Sequence, residues 1–213
     1  MKSVSLVLLA AASGTIFLTA CGESSTPVAD TKVPAAATVQ PAVAAPTQAS
    51  AAPAEQSGKL VIQGYASSVP GSWTPSQPSS PMRVAQFALP AVTGADAGEL
   101  AAYFFPTGQG GSHQANIERW SSQFTDASGK TVVPKITTSK SGDMEVTLVE
   151  LQGTYSRGVG MGPTGEAKPD QTLMVAMVET TIGRITLQMY GPSKTLSAQR
   201  DGFMKLAKGF HSA

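Results

Sequence analysis

"LMVAMVETTIGRITLQMYG", residues 173–191, decides the architecture. Its first part is apolar without a break from Leu173 to Val178, the pattern of a central strand covered on both faces. Its last part alternates, with Ile185, Leu187 and Met189 on one side and Thr186, Gln188 and Tyr190 on the other. Only "TTIG", residues 180–183, separates the two. A link that short cannot contain a crossover helix, so the two strands are predicted to be antiparallel neighbours in a hairpin.

Working outward, "MEVTLVELQGTY" (144–155) places Met144, Val146 and Leu148 on one face and Glu145, Thr147 and Val149 on the other. Earlier segments also read as strands: "KLVIQGYA" (59–66), "MRVAQFALP" (82–90) and "ELAAYFFP" (99–106). "VVPKITTS" (132–139) is a weaker strand signal, because Pro134 suits only an edge or a break. Two helices are expected. The first starts at Ser112 as N-cap and runs to Phe124, with Ile117, Trp120 and Phe124 on one face. The second runs from Ser193 to Phe210 with Leu196, Phe203, Leu206, Ala207 and Phe210 as its apolar stripe. Gly202 inside it costs ~1 kcal/mol relative to alanine. The sum is an α+β fold, an antiparallel β-sheet with two main helices packed on it, built from one domain at 59–213.

The front of the chain reads differently. "MKSVSLVLLAAASGTIFLTACGESS" has one cation, Lys2, before an uncharged apolar run, the pattern of an export signal. "LTAC", residues 18–21, resembles the bacterial lipobox, in which a cysteine receives a diacylglyceryl group before cleavage ahead of it. The resemblance implies a lipoprotein signal peptide at 1–20 and lipidation at Cys21. A transmembrane anchor needs ~18–20 apolar residues. Ser3, Ser5, Ser13, Gly14 and Thr15 dilute this run, so lipidation is the preferred reading. Cys21 is also the single cysteine of the 213-residue chain, and acylation gives that unpaired thiol a role. Two or more acyl chains such as palmitate anchor firmly where one does not. Aspartate after the cysteine is the inner-membrane retention signal of the sorting scheme this lipobox resembles. Gly22 stands there instead, so the outer membrane, facing the periplasm, is expected.

Residues 21–58 contain no aromatic side chain and are mostly Ala, Pro, Thr, Ser and Val. Such a segment cannot bury enough apolar area to offset its ordering entropy, and it is expected to be a disordered tether. At ~3 Å per residue its reach is up to about 100 Å. The whole chain has 15 Lys and Arg against 14 Asp and Glu, scattered without a basic stripe, so no nucleic-acid partner is expected.

The stretch "YFFPTGQGGSHQANIERW" (103–120) runs from a strand through glycines into a helix, the order of a phosphate-cradling site. The P-loop needs a lysine after its last glycine, and here Gly111 precedes Ser112 and His113. The dinucleotide spacing GxGxxG fails as well, since His113 takes the place of its third glycine. The glycines therefore read first as a strand-to-helix corner, with Ser112 as cap. Candidate ligand-binding residues are Gln109, Gly110, Gly111, Ser112, His113, Asn116 and Arg119, because a helix N-terminus favours anions. Asn116, Arg119 and Gln123 share a helix face and are expected to bond to neighbouring loops. Arg157, in the glycine-rich stretch 156–170, is the remaining candidate.

Two histidines, His113 and His211, and no cysteine pair give no metal-ligand spacing, and no cofactor is expected. GxSxG is absent, and the adjacency of Ser112 and His113 in sequence does not orient an imidazole toward a hydroxyl, so no catalytic residue is expected.

"SSPMRVAQFALP", "GQGGSHQANIERWSSQF" and "GPSKTLSAQRDGFMKL" resemble an uncharacterised family of bacterial exported proteins and lipoproteins. The resemblance covers most of residues 73–210, including Trp73, Pro75 and Pro81, and implies export without implying an activity. The element layout is also loosely similar to PsbP-like folds. The functional expectation is a lipid-anchored envelope lipoprotein, a non-enzymatic binding or accessory module for an envelope protein or a small ligand. The alternative is a hydrolase or anion-binding protein using the glycine-rich loop.

Overall fold

The computed structural model describes residues 58–156 and 166–213. The signal, lipidation and tether expectations, with Cys21, and the candidate Arg157 lie outside the described residues.

The hairpin at 173–191 forms. Strand β9 (Lys168–Thr180) and strand β10 (Gly183–Pro192) pair antiparallel from Thr180↔Gly183 to Gln171↔Pro192. Residues 181 and 182 make the turn between them. Preceding these in the chain are β1 (Lys59–Ile62), β2 (Tyr65–Ser68), β3 (Thr74–Pro75), β4 (Ala85–Leu89) and β5 (Gly98–Pro106). Helix α1 (His113–Ser121) follows, then β6 (Phe124–Thr125), β7 (Lys135–Ser141) and β8 (Met144–Tyr155). After β10 come helix α2 (Ser193–Lys208) and β11 (His211–Ser212). The main sheet has the order β3-β4-β5-β10-β9-β8-β6, with β7 also paired to β8, and a small sheet has the order β1-β2-β11. Every ladder is antiparallel, and the fold is α+β.

The continuous apolar run of β9 is covered on both faces, for the reason its period suggests. Met174, Ala176 and Val178 point toward α2, into a core with Ile185, Leu187 and Met189 of β10 and Leu196, Phe203, Leu206 and Ala207 of the helix. Leu173, Val175 and Met177 point the other way, into a second cluster with Ile117 and Trp120 of α1 and Val149 and Leu151 of β8. The two helices thus lie against opposite faces of one sheet. Among the described residues, no helix is long and apolar enough to cross a membrane.

Several boundaries differ from expectation. The single strand expected at 59–66 is a tight hairpin: Gln63 and Gly64 have φ of 49° and 80°, the backbone of a two-residue turn that folds β2 back on β1. Helix α1 ends at Ser121, and Phe124 reaches the α1 cluster from β6 rather than from the helix. Helix α2 ends at Lys208, with Phe210 buried beyond it. The expected strand at 132–139 is shifted to β7, leaving Pro134 outside the ladder it cannot join. Gly202 is accounted for by space: a Cβ there would stand 2.8 Å from Pro70 Cγ.

Candidate functional site

Strand β5 delivers the chain to the glycine corner at the same end of the sheet where the β9–β10 turn lies. Thr107 N donates to Ile182 O of that turn, and Gln109 N donates to Pro106 O. Gly108, Gly110 and Gly111 all have left-handed backbones, with φ of 81°, 79° and 72°. At Gly110 a side chain is also excluded by contact, because a Cβ would come within 2.5 Å of Phe105 Cγ and 2.8 Å of Arg184 Nη2.

Ser112 then caps α1. Its hydroxyl accepts from Ala115 N at 3.2 Å, and its carbonyl accepts from Asn116 N at 3.1 Å. The Asn116 side chain is buried and turned back on the corner, donating from Nδ2 to Gly110 O and Ser112 O, each at 2.8 Å. Arg119 Nη2 donates to Asn116 Oδ1, which fixes the amide orientation. Asn116 and Arg119 therefore brace the turn.

Two residues that the sequence did not single out complete the corner. Arg184 of β10 stands opposite Phe105 of β5 and Glu179 of β9 in the ladder register. It is 7% exposed. Its Nη2 donates to Gly111 O at 2.9 Å, and its guanidinium lies 5.9 Å from the Phe105 ring centre. Among the described residues, its buried Nε has no hydrogen-bond partner. Glu179 Oε1 is 3.9 Å from that Nε, while it lies 2.7 Å from His113 Nε2. The two-residue turn was the available signal, since a hairpin closed by Thr181 and Ile182 must set Glu179 across from Arg184. The approach of Phe105 and Gly111 to the same guanidinium had no local signal.

The structure thus brings Gly110, Gly111, Ser112, His113, Asn116 and Arg119 together around one helix start, and adds Arg184 and Glu179. Gln109 is exposed. Beside the corner, Tyr103 and Phe105 stack with their planes 9° apart and centroids at 6.3 Å. Both rings are half-buried, and neither joins the two apolar cores.

A separate cavity of about 670 Å³ opens at the other end of β5 and β10, lined in part by Asp96, Glu99, Lys168, Gln171 and Tyr190. None of the glycine-corner residues lines it. Tyr190 packs its ring 4.8 Å from Tyr155. Burial first, and the neighbouring Tyr155 second, push the Tyr190 hydroxyl up to about 12. Among the described residues that buried hydroxyl has no hydrogen-bond partner. No group of three or more His, Cys, Asp and Glu among the described residues is placed to hold a metal.

No protein-family model matches the chain, and no curated protein sequence matches it. Among solved structures, the chain is similar to cyanobacterial PsbP (CyanoP) from Synechocystis sp. PCC 6803, at 13% identity and a TM-score of 0.46. That match covers 73% of this chain and 91% of the other. It is also similar to a Pseudomonas aeruginosa protein of unknown function, PA94, at 13% identity and a TM-score of 0.39, covering 68% and 90% of the two chains. Both are likenesses of layout.

Proposed function

We propose that this chain is a lipid-anchored lipoprotein of the cell envelope, tethered through Cys21, whose α+β domain is a binding or accessory module without chemistry of its own. The observation that carries the reading is "LTAC" ending an uncharged apolar run at the chain's single cysteine, followed by a long segment without aromatic residues. Gly22 after the cysteine favours the outer membrane. The test is fractionation with labelled palmitate. Wild-type protein is expected with membranes and labelled, and Cys21→Ser unlabelled and released from them. Equal fractionation of the two, with no label in either, rejects the anchor. Crosslinking in envelope extract then asks for a partner, and the absence of any specific adduct counts against the accessory role.

One observation favours the second reading, a hydrolase at the glycine corner. His113 Nε2 lies 2.7 Å from Glu179 Oε1, and a carboxylate that orients an imidazole is half of a general-base arrangement. Turnover of an ester substrate that disappears in His113→Ala would promote it. No turnover across a panel of esters retires it.

A further inference from the structure

We propose that the corner at the start of α1 binds the carboxylate of a ligand with an apolar or ring-shaped body, and that Glu179 holds the place of that carboxylate until the ligand displaces it. This rests on the binding-module reading above and gives it a site and a ligand chemistry.

The first support is Arg184. A guanidinium that is 7% exposed, with a buried Nε lacking any hydrogen-bond partner among the described residues, is costly to maintain. If Arg184 served stability alone, an apolar side chain of similar volume would serve as well or better. The guanidinium also stands at the helix start, because its Nη2 donates to Gly111 O, one residue ahead of the cap, at 2.9 Å.

The second support is the helix end itself. Ser112 satisfies the N–H groups of Ala115 and Asn116, while those of His113 and Gln114 belong to the first turn, where no intrahelical acceptor exists. The end of a nine-residue helix adds a partial positive charge there.

The third support is Glu179. Its Oε1 sits between two donors and bonds to one: 2.7 Å from His113 Nε2, but 3.9 Å from Arg184 Nε, beyond hydrogen-bond reach. A permanent partner for a buried arginine would close that distance. The Glu179 side chain is instead 40% exposed and lies next to the β9–β10 turn, free to swing into water without disturbing either core. A ligand carboxylate is not tied to the strand, so it can reach His113 and Arg184 together and make the forked contact that a guanidinium favours. Phe105, half-buried with its ring centre 5.9 Å from the guanidinium and Tyr103 stacked on it, offers the ligand's body an aromatic floor.

The experiment is an amide-resolved NMR titration of the full chain, lipid included, in detergent, with benzoate, acetate, phosphate and chloride as probes. Saturable shifts are expected at Gly111, His113, Gln114 and the Arg184 Nε–H, tighter for benzoate than for acetate. Glu179→Gln removes the competing charge at constant shape, and its benzoate affinity should rise roughly tenfold. His113→Ala should weaken binding. Shifts that never saturate, or that spread equally to His211 and the exposed lysines, overturn the proposal. So does a Glu179→Gln protein that binds no tighter, or a phosphate affinity above that of benzoate. Arg184→Lys is interpreted only if its unfolding transition matches wild type, and the Glu179→Gln comparison stands without it. A failed titration leaves the membrane anchor untouched, and a failed Cys21→Ser result leaves the titration untouched, so the two readings fall separately.

Discussion

Gly108 and Gly110 sit two residues apart with nearly the same backbone, φ of 81° and 79°, but in different surroundings. Among the described residues, a Cβ at Gly108 meets nothing within 4 Å, whereas at Gly110 it would press on Phe105 and Arg184. Gly108→Ala should therefore cost about 1 kcal/mol of left-handed strain. Gly110→Ala adds overpacking to that strain and should cost about 2–4 kcal/mol, read as a lower urea midpoint at unchanged slope. Tyr190 offers a second contrast. Its hydroxyl is buried without a partner among the described residues, so Tyr190→Phe should leave stability unchanged or raise it by about 1 kcal/mol at neutral pH. The pH dependence has a definite sign. The folded-state value of about 12 lies above the ordinary 10.0, so the unfolded chain loses this proton first. Between those two values the unfolded state binds fewer protons, and stability falls as pH rises. Comparing unfolding curves of wild type and Tyr190→Phe across that window should show a shallower decline in the variant.

At the scale of elements, the helices test local rules against packing. Ser112→Ala removes the α1 cap and should cost ~1 kcal/mol. Gly202→Ala should gain up to ~1 kcal/mol from helix propensity alone. The 2.8 Å approach to Pro70 Cγ opposes this, and a net loss is expected in thermal unfolding because the Pro70–Trp73 segment must shift off α2. The same opposition of local and non-local terms explains what the sequence conveyed. The β9–β10 hairpin was legible because its periods and its short link are local features. The first four residues of β9 were not, since Lys168, Pro169, Asp170 and Gln171 carry no apolar pattern and are strand only through pairing with β8 and β10. The spacing overstates helix α1 because Phe124 continues it, although the residue belongs to the strand that follows. Of the corner, the cap, the glycines, Asn116 and His113 were visible in one stretch. Arg184 and Glu179 come from a distant part of the chain, and only the ladder brings them in.

At the scale of the whole molecule, two apolar cores share one strand. Met174, Ala176 and Val178 serve one, and Leu173, Val175 and Met177 serve the other. A polar substitution at Val175 or Ala176 damages one core, but loss of β9 from the sheet would remove both together. Amide exchange should therefore be slowest along β9, at the free energy of global unfolding. The order of the sheet has a temporal consequence. β5 is made early and its neighbour β10 late, yet the two lie side by side. Until residues 183–192 have left the ribosome, β5 has no β10 to zip onto, and the nascent chain cannot lock prematurely into its final shape. In the complete chain the long sequence separation of β5 and β10 predicts refolding in milliseconds to seconds rather than microseconds. It also keeps the polypeptide threadable for as long as the β9–β10 hairpin is still being synthesised.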